Sequence, residues 1–263
     1  MNAYYSVMAA RFRALLQYRA AAAAGFATQL FWGAMKVMVF QAFYRSSTAH
    51  QPMSLAQSIT YIWLGQAMLA MLPWNVDREI AVMIRTGNVV YELLRPRDLY
   101  AIWFSRILAF RTAPTLLRAA PMFVVAMLLL GMQAPASVGS GFAYAASMLA
   151  AISLSAAITA LISISLLWTI SGDGISRIVP GLVTIFSGMI VPLPLFPAWA
   201  QTALNWSPFR GIADIPYRLY MGHIPPDQLP YMLAHQLGWT VALVLLGRWM
   251  LARGTRRLVV QGG

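Results

Sequence analysis

Apart from arginine and tyrosine, seven carboxylates, three histidines and a single lysine are the titratable side chains that this 263-residue chain could use for chemistry. Their spacing builds no recognisable catalytic centre. The lysine, Lys36, lies in "GAMKVMV", whereas a phosphate-cradling loop needs G-x-x-x-x-G-K followed by Ser or Thr. No G-x-S-x-G nucleophile turn occurs. His50, His223 and His235 are scattered, without the H-E-x-x-H spacing of a helical metal site, and read as interfacial or loop histidines. Cysteine is absent, which removes disulfides, thiolate metal sites and cysteine nucleophiles together. Asp77, Glu79, Glu92, Asp98, Asp173, Asp214 and Asp227 all fall in predicted loops or interfaces. Catalysis by this chain alone is therefore not expected, and neither is a metal or a cofactor of its own. Proton- or ion-coupled carriage fits poorly too, because such carriers place carboxylates or histidines inside their spans.

The charges are densest in "REIAVMIRTGNVVYELLRPRDLY", residues 78–100. Asp77 can cap a short helix here, with Ile80 and Met83 or Ile84 entering a partner's groove and Arg78, Glu79 and Arg85 setting its register. Gly87 permits a turn, and Glu92 closes the charged stretch. The bland alternative is a loop whose charges are merely solvated.

The elements that must position this island follow from composition. At 60% hydrophobic and 10% charged, the chain cannot cover a soluble surface and reads as an all-α integral membrane protein. The +12 net charge would suggest nucleic acid in a soluble protein, but the basic residues cluster at the ends of apolar segments, so no nucleic-acid partner is expected. A helix needs about 20 residues to cross the hydrocarbon. Six transmembrane helices are predicted, at Ala20–Tyr44, Gln57–Trp74, Thr115–Met132 (after an arginine-bearing lead-in from Trp103), Gly141–Ile170, Ile178–Leu195 and Tyr231–Leu251. With the N-terminus inside, fifteen basic residues fall on the cytoplasmic side and Arg45, Arg210 and Arg218 outside. Both termini are then cytoplasmic, and so is residues 77–96. The N-terminal stretch lacks the continuous apolar core of a signal peptide, so no cleavage is expected.

Two segments are amphipathic rather than spanning. Residues 4–19 repeat apolar residues every three or four positions, with Arg11, Arg13 and Arg19 available to lipid phosphates, as in an interfacial helix on the inner leaflet. The competing reading is a helix packed on the other spans. Residues 191–230 hold eight of the fifteen prolines yet stay apolar, which predicts short broken helices re-entering the outer leaflet between spans five and six. No second domain is apparent. Phe31, Trp32, Gln66, Met68 and Met71 are candidates to line a substrate pathway, against the commoner role of such residues in packing. Lys36 either lines that pathway or snorkels outward, the second being favoured.

The stretch from Ser187 to Gly222 resembles the fifth-span and outer-loop signature of type-2 ABC exporter permeases, the class that contains daunorubicin-export and polysaccharide-export permeases. The matching positions are Ser187, Gly188, Pro192, Phe196, Pro197, Trp199, Pro208, Phe209, Pro216 and Gly222. Glu79, Gly87 and Leu93-Leu94-Arg95-Pro96 match that class in the loop between spans two and three, and "LLRPRDLYAIWFSRILAFRTAPTLLRAAP" is similar to a branch whose permeases are encoded in neighbouring pairs beside one ATPase. The chain departs from the pattern in having Asp77-Arg78-Glu79 where the class has a Glu-Arg-Glu run. The resemblance implies a permease of the bacterial cytoplasmic membrane that pairs with a second permease subunit, identical or paralogous. ATP and Mg would bind separate ABC ATPase subunits, coupled through residues 77–96. Outside that class, the same helices would suit an ATP-independent membrane scaffold or lipid scramblase.

Overall fold

The computed structural model describes residues 3–47, 51–94, 96–169 and 173–256, so the sequence readings at His50, Arg95, Ile170 and Arg257 lie outside the described residues. Within them every regular element is helical. In chain order these are α1 (Ala3–Leu16), α2 (Arg19–Ser46), α3 (Leu55–Ala67), α4 (Arg78–Arg85), α5 (Val89–Leu93), α6 (Leu99–Leu129), α7 (Val138–Ser165), α8 (Asp173–Phe186), α9 (Ala198–Trp206), α10 (Asp214–Tyr220) and α11 (Leu229–Thr255). Local sequence explains several starts. Ser54 and Gln57 form a reciprocal capping box at α3, with the Ser54 hydroxyl accepting from the Gln57 N–H at 3.2 Å and the Gln57 side chain accepting from the Ser54 N–H at 2.8 Å. Asp98 caps α6 by accepting from the Ala101 N–H at 2.8 Å.

Among the described residues four helices are long and apolar enough to cross a membrane: α2, α6, α7 and the stretch Pro226–Thr255 that contains α11. The second and fifth predicted spans correspond instead to α3 and α8, of 13 and 14 residues. At 1.5 Å per residue each is only about 20 Å long. The predicted second span ran on to Trp74 because Leu69–Leu72 is apolar. Those residues are apolar because Met71 and Leu72 are packed in the core, and the chain there is a 3-10 turn at Leu69–Met71. Likewise α8 stops at a turn where Gly188 has φ +89° and an added Cβ would fall 2.4 Å from the Tyr61 hydroxyl. The lead-in and third span are one 31-residue helix, α6, that continues through Pro114 and Pro121.

The bundle is built around α7, which packs against α6, α10 and α11. Its small residues allow close approach, and two of its hydroxyls are satisfied within the helix, Thr159 donating to the Ser155 carbonyl and Ser163 to the Thr159 carbonyl, both at 2.8 Å. At the end near the prolines, buried Gln236 of α11 donates to the carbonyls of Ser147 (3.1 Å) and Gly211 (2.7 Å). Asp214, expected at an interface, is fully buried between Arg210 and Arg218, at 3.7 and 3.6 Å. At the opposite end, the Asp98–Arg248 pair at 2.9 Å joins the start of α6 to α11, and the Tyr4 hydroxyl accepts from the Asp98 N–H. The first and last helices therefore share one end of the bundle.

Arg111 was counted among the cytoplasmic charges, but its side chain is 2% exposed and points into the bundle. Its guanidinium donates to the Leu72 carbonyl at 2.8 Å, the Asn75 carbonyl, the Asn75 side-chain oxygen at 3.3 Å and the Thr159 hydroxyl at 3.1 Å. Beside it, the Ser155 hydroxyl donates to the Met71 carbonyl. The turn between α3 and α4 is thus fastened to both α6 and α7. Replacing Arg111 by Leu strands the Leu72 and Asn75 carbonyls, each costing about 1–3 kcal/mol. Arg111→Leu is expected to lower the unfolding midpoint in detergent well below that of Thr159→Val, which removes one of the four acceptors; equal midpoints would show that the guanidinium is not the fastener.

Candidate coupling site

The predicted charged island is a short helix, α4, placed in space by three devices. Asp77 begins it, fully buried, its carboxylate accepting from the Glu79 N–H at 2.9 Å. Gly87 ends it in the left-handed region, φ +74°, with its N–H reaching back to the Ile84 carbonyl at 3.2 Å. Between them, Ile80, Ala81 and Ile84 turn into the bundle and pack with Val89, Leu99, Tyr100 and Trp103.

That packing corrects one expectation. Ile80 (0% exposed) and Ile84 (8%) are occupied by the protein's own core and are not available to a partner's groove. Each buried isoleucine is worth about 1.5–3 kcal/mol, which fixes the helix's rotation. The apolar residue left facing outward is Val82, at 49% exposure, flanked by exposed Arg78 and Arg85, with Met83 half-buried. Beyond α4, α5 buries Val89, carries Glu92 in its first turn and leaves Tyr91, Leu93 and Leu94 exposed.

Glu79 is committed within the chain. Its carboxylate receives Arg11 of α1 at 2.5 Å and Arg106 of α6, and the same two arginines approach Asp77 at 3.5 and 4.0 Å. Arg11, expected to meet lipid phosphates, is therefore spent on the carboxylates, and α1 packs along α6, as the competing reading of this segment anticipated. The sequence showed every member of this clamp, but residues 11, 77, 79 and 106 are too far apart in the chain to be paired by any local pattern. Between α1 and α4 lies a cleft of about 690 Å³ lined by Arg11, Leu15, Tyr18, Arg78, Glu79, Val82 and Met83.

The pathway candidates do not converge. Phe31 and Trp32 are exposed on α2, in edge contact at 5.7 Å and continuous with exposed Met35, Met38 and Val39. Gln66, Met68 and Met71 are buried in the main core, where Gly33 lets α2 close onto Trp63 and Gln66, and cannot line a path in this arrangement. Lys36 is partly buried, and its ammonium donates to the Met189 carbonyl at 3.1 Å, where α8 has ended. In the proline-rich segment, Ser187, Gly188 and Pro192 are buried, Phe209 stacks on Phe186, and Pro208 is partly buried. Pro197 and Trp199 are exposed, the latter at 81%.

Burial raises the Glu79 pKa, but hydrogen bonds from Arg106 and Arg11, with their charges, outweigh it and hold the carboxyl below the usual carboxylate range. A folded-state value below the unfolded one means that the clamp is intact above the ordinary carboxylate range and is lost as pH falls through the lowered value. Amide exchange in α1 and α4, corrected for intrinsic rates, is expected to be alike at pH 5.5 and 7.5. Glu79→Gln should speed it about twofold to fivefold at both; unchanged exchange in that variant would mean that apolar packing alone holds α4.

These features are a helix rigidly mounted at one end of an apolar bundle and several helices able to cross a membrane. Comparison with curated proteins finds no match. A family model described as "ABC-2 family transporter protein" matches residues 30–262, which takes in the second part of α2 and the other three membrane-length helices together with α4 and the proline-rich segment. The chain belongs to the ABC-2 transporter family and is a multi-pass membrane permease.

Proposed function

We propose that this permease is half of the substrate pathway of an ABC exporter and that α4 is its coupling helix, receiving force from a separate ATPase subunit. The observation that carries the reading is the mounting of α4. A helix that transmits displacement has to move with its bundle, and α4 is tied by buried isoleucines, by the Asp77–Glu79 clamp to α1 and α6, and through the Arg111-bound turn to α7. Its outward ridge of Arg78, Val82 and Arg85 supplies an apolar contact between two charges that set register.

In this reading α3 and α8 complete six crossings with the four long helices, the shortness of α3 being accommodated because protein encloses it. The end that carries α1, α4 and the close of α11 faces the cytoplasm of a bacterial cell, in accord with its excess of arginine. The segment from α9 to α10 sits in the outer interface, where exposed Trp199 and Trp206 meet headgroups. The exposed stripe of α2 that includes Phe31 and Trp32 faces a second permease subunit across the pathway. ATP and Mg belong to the partner, and nucleotide binding there favours one of two arrangements of the paired bundles.

Co-expression with an ABC ATPase subunit and co-purification in detergent tests the coupling. Wild type is expected to retain the ATPase, and Val82→Asp with Arg78→Glu, both on the exposed face, to weaken retention by about tenfold or more without loss of monodispersity. Equal retention by the variant would remove α4 from the interface. A chain that moves lipid or binds partners with no ATPase required would put the scaffold or scramblase reading first.

A further inference from the structure

On the side of α1 away from the clamp, a second cavity of about 510 Å³ opens between α1, α6 and α7. Tyr5, Met8, Ala9, Phe12 and Arg13 line it from α1, Leu108, Ala109 and Thr112 from α6, and Leu149, Ile152 and Ser153 from α7. Of its three hydroxyls two are already used as donors, Thr112 to the Leu108 carbonyl at 2.7 Å and Ser153 to the Leu149 carbonyl at 3.1 Å, and the third belongs to the exposed Tyr5 on α1. The rest of the lining apart from Arg13 is apolar, so a polar ligand would find few partners along these walls, whereas an aliphatic chain loses nothing by entering. Arg13 is the sole charged residue of the lining, exposed and in the last turn of α1, and its guanidinium can hold a phosphate with two parallel hydrogen bonds. Residues 5–13 extend along about 12 Å of helix, so the groove is elongated, with its charge towards one end.

We infer that this groove is a site for one anionic phospholipid, with an acyl chain between α1, α6 and α7 and the headgroup phosphate on Arg13. The occupant is a membrane lipid rather than a transported substrate because the walls are aliphatic and aromatic and open beside Leu149, which is 70% exposed on an apolar helix. The site has a mechanical consequence. Met8 and Phe12 face it, while Arg11, between them in sequence, faces the clamp on Asp77 and Glu79. A lipid seated on one face of α1 fills the space into which that helix would otherwise settle, and so fixes where Arg11 presents its charge to α4. The inference rests on the membrane placement proposed above but not on an ATPase, so lipid retention reads the groove and ATPase retention reads the coupling.

The full-length permease, released from nanodiscs containing equal amounts of phosphatidylglycerol and phosphatidylcholine, would be examined by native mass spectrometry. Wild type is expected to retain one lipid, phosphatidylglycerol over phosphatidylcholine by about fivefold, the worth of one arginine at a membrane surface. Arg13→Gln should keep one bound lipid but lose the preference. Ser153→Trp, which fills the groove from the rigid central helix, should lose the lipid of either kind, and Ala9→Trp from the other wall should do the same, each with unchanged helicity. Retention of lipid by both filled variants at the wild-type level would overturn the site. Equal retention of the two lipids by wild type would overturn the assignment of the headgroup to Arg13.

Discussion

The fold turns on one buried cation. A guanidinium inside an apolar bundle has to find acceptors, and Arg111 finds them on the backbone where α3 has ended, at Leu72 and Asn75. That demand explains why an apolar stretch long enough to continue as helix turns instead. Carbonyls used by an arginine and by the Ser155 hydroxyl serve as the anchor of a turn, and α4 begins three residues after Asn75, the last residue of that anchor. α4 is therefore attached to α7, the most buried of the membrane-length helices, by hydrogen bonds rather than by a flexible linker.

A second layer of electrostatics sets the orientation of α4. Asp77 and Glu79 lie between Arg11 and Arg106, two arginines on two different helices, so that each carboxylate is shared. Each pair partly exposed to solvent would contribute little by itself. Their value here is geometric, since they decide which face of α4 remains outward once Ile80 and Ile84 have been buried. The amphipathic segment at the N-terminus is then more than a membrane float. It is the brace that carries Arg11, and whatever occupies its other face bears on the same brace.

Much of this was legible in the chain. The apolar composition and arginine distribution pointed to a helical membrane protein, and the Asp77 cap marked a helix start correctly. The motif positions from Glu79 to Pro96 and from Ser187 to Gly222 pointed to the family that the comparison then established. The errors have a common physical origin. Hydropathy reports whether a residue leaves water, and a residue leaves water equally well in lipid, in a protein core or in a turn packed under a helix. Leu69–Leu72, Gln66 and Met71 were misplaced for that reason, as was Ile80, assigned to a partner's surface when its own bundle had taken it.

What the sequence determined alone is set by local and solvent physics: which segments avoid water, where along the chain the arginines cluster, and where Asp and Gly start and stop helices. What only the tertiary structure decided is which charges meet. Arg11 with Glu79 and Arg111 with Leu72 are pairings across many tens of residues. No periodicity encodes them, because their energy exists only after packing has brought low-dielectric surroundings and a fixed geometry to both partners.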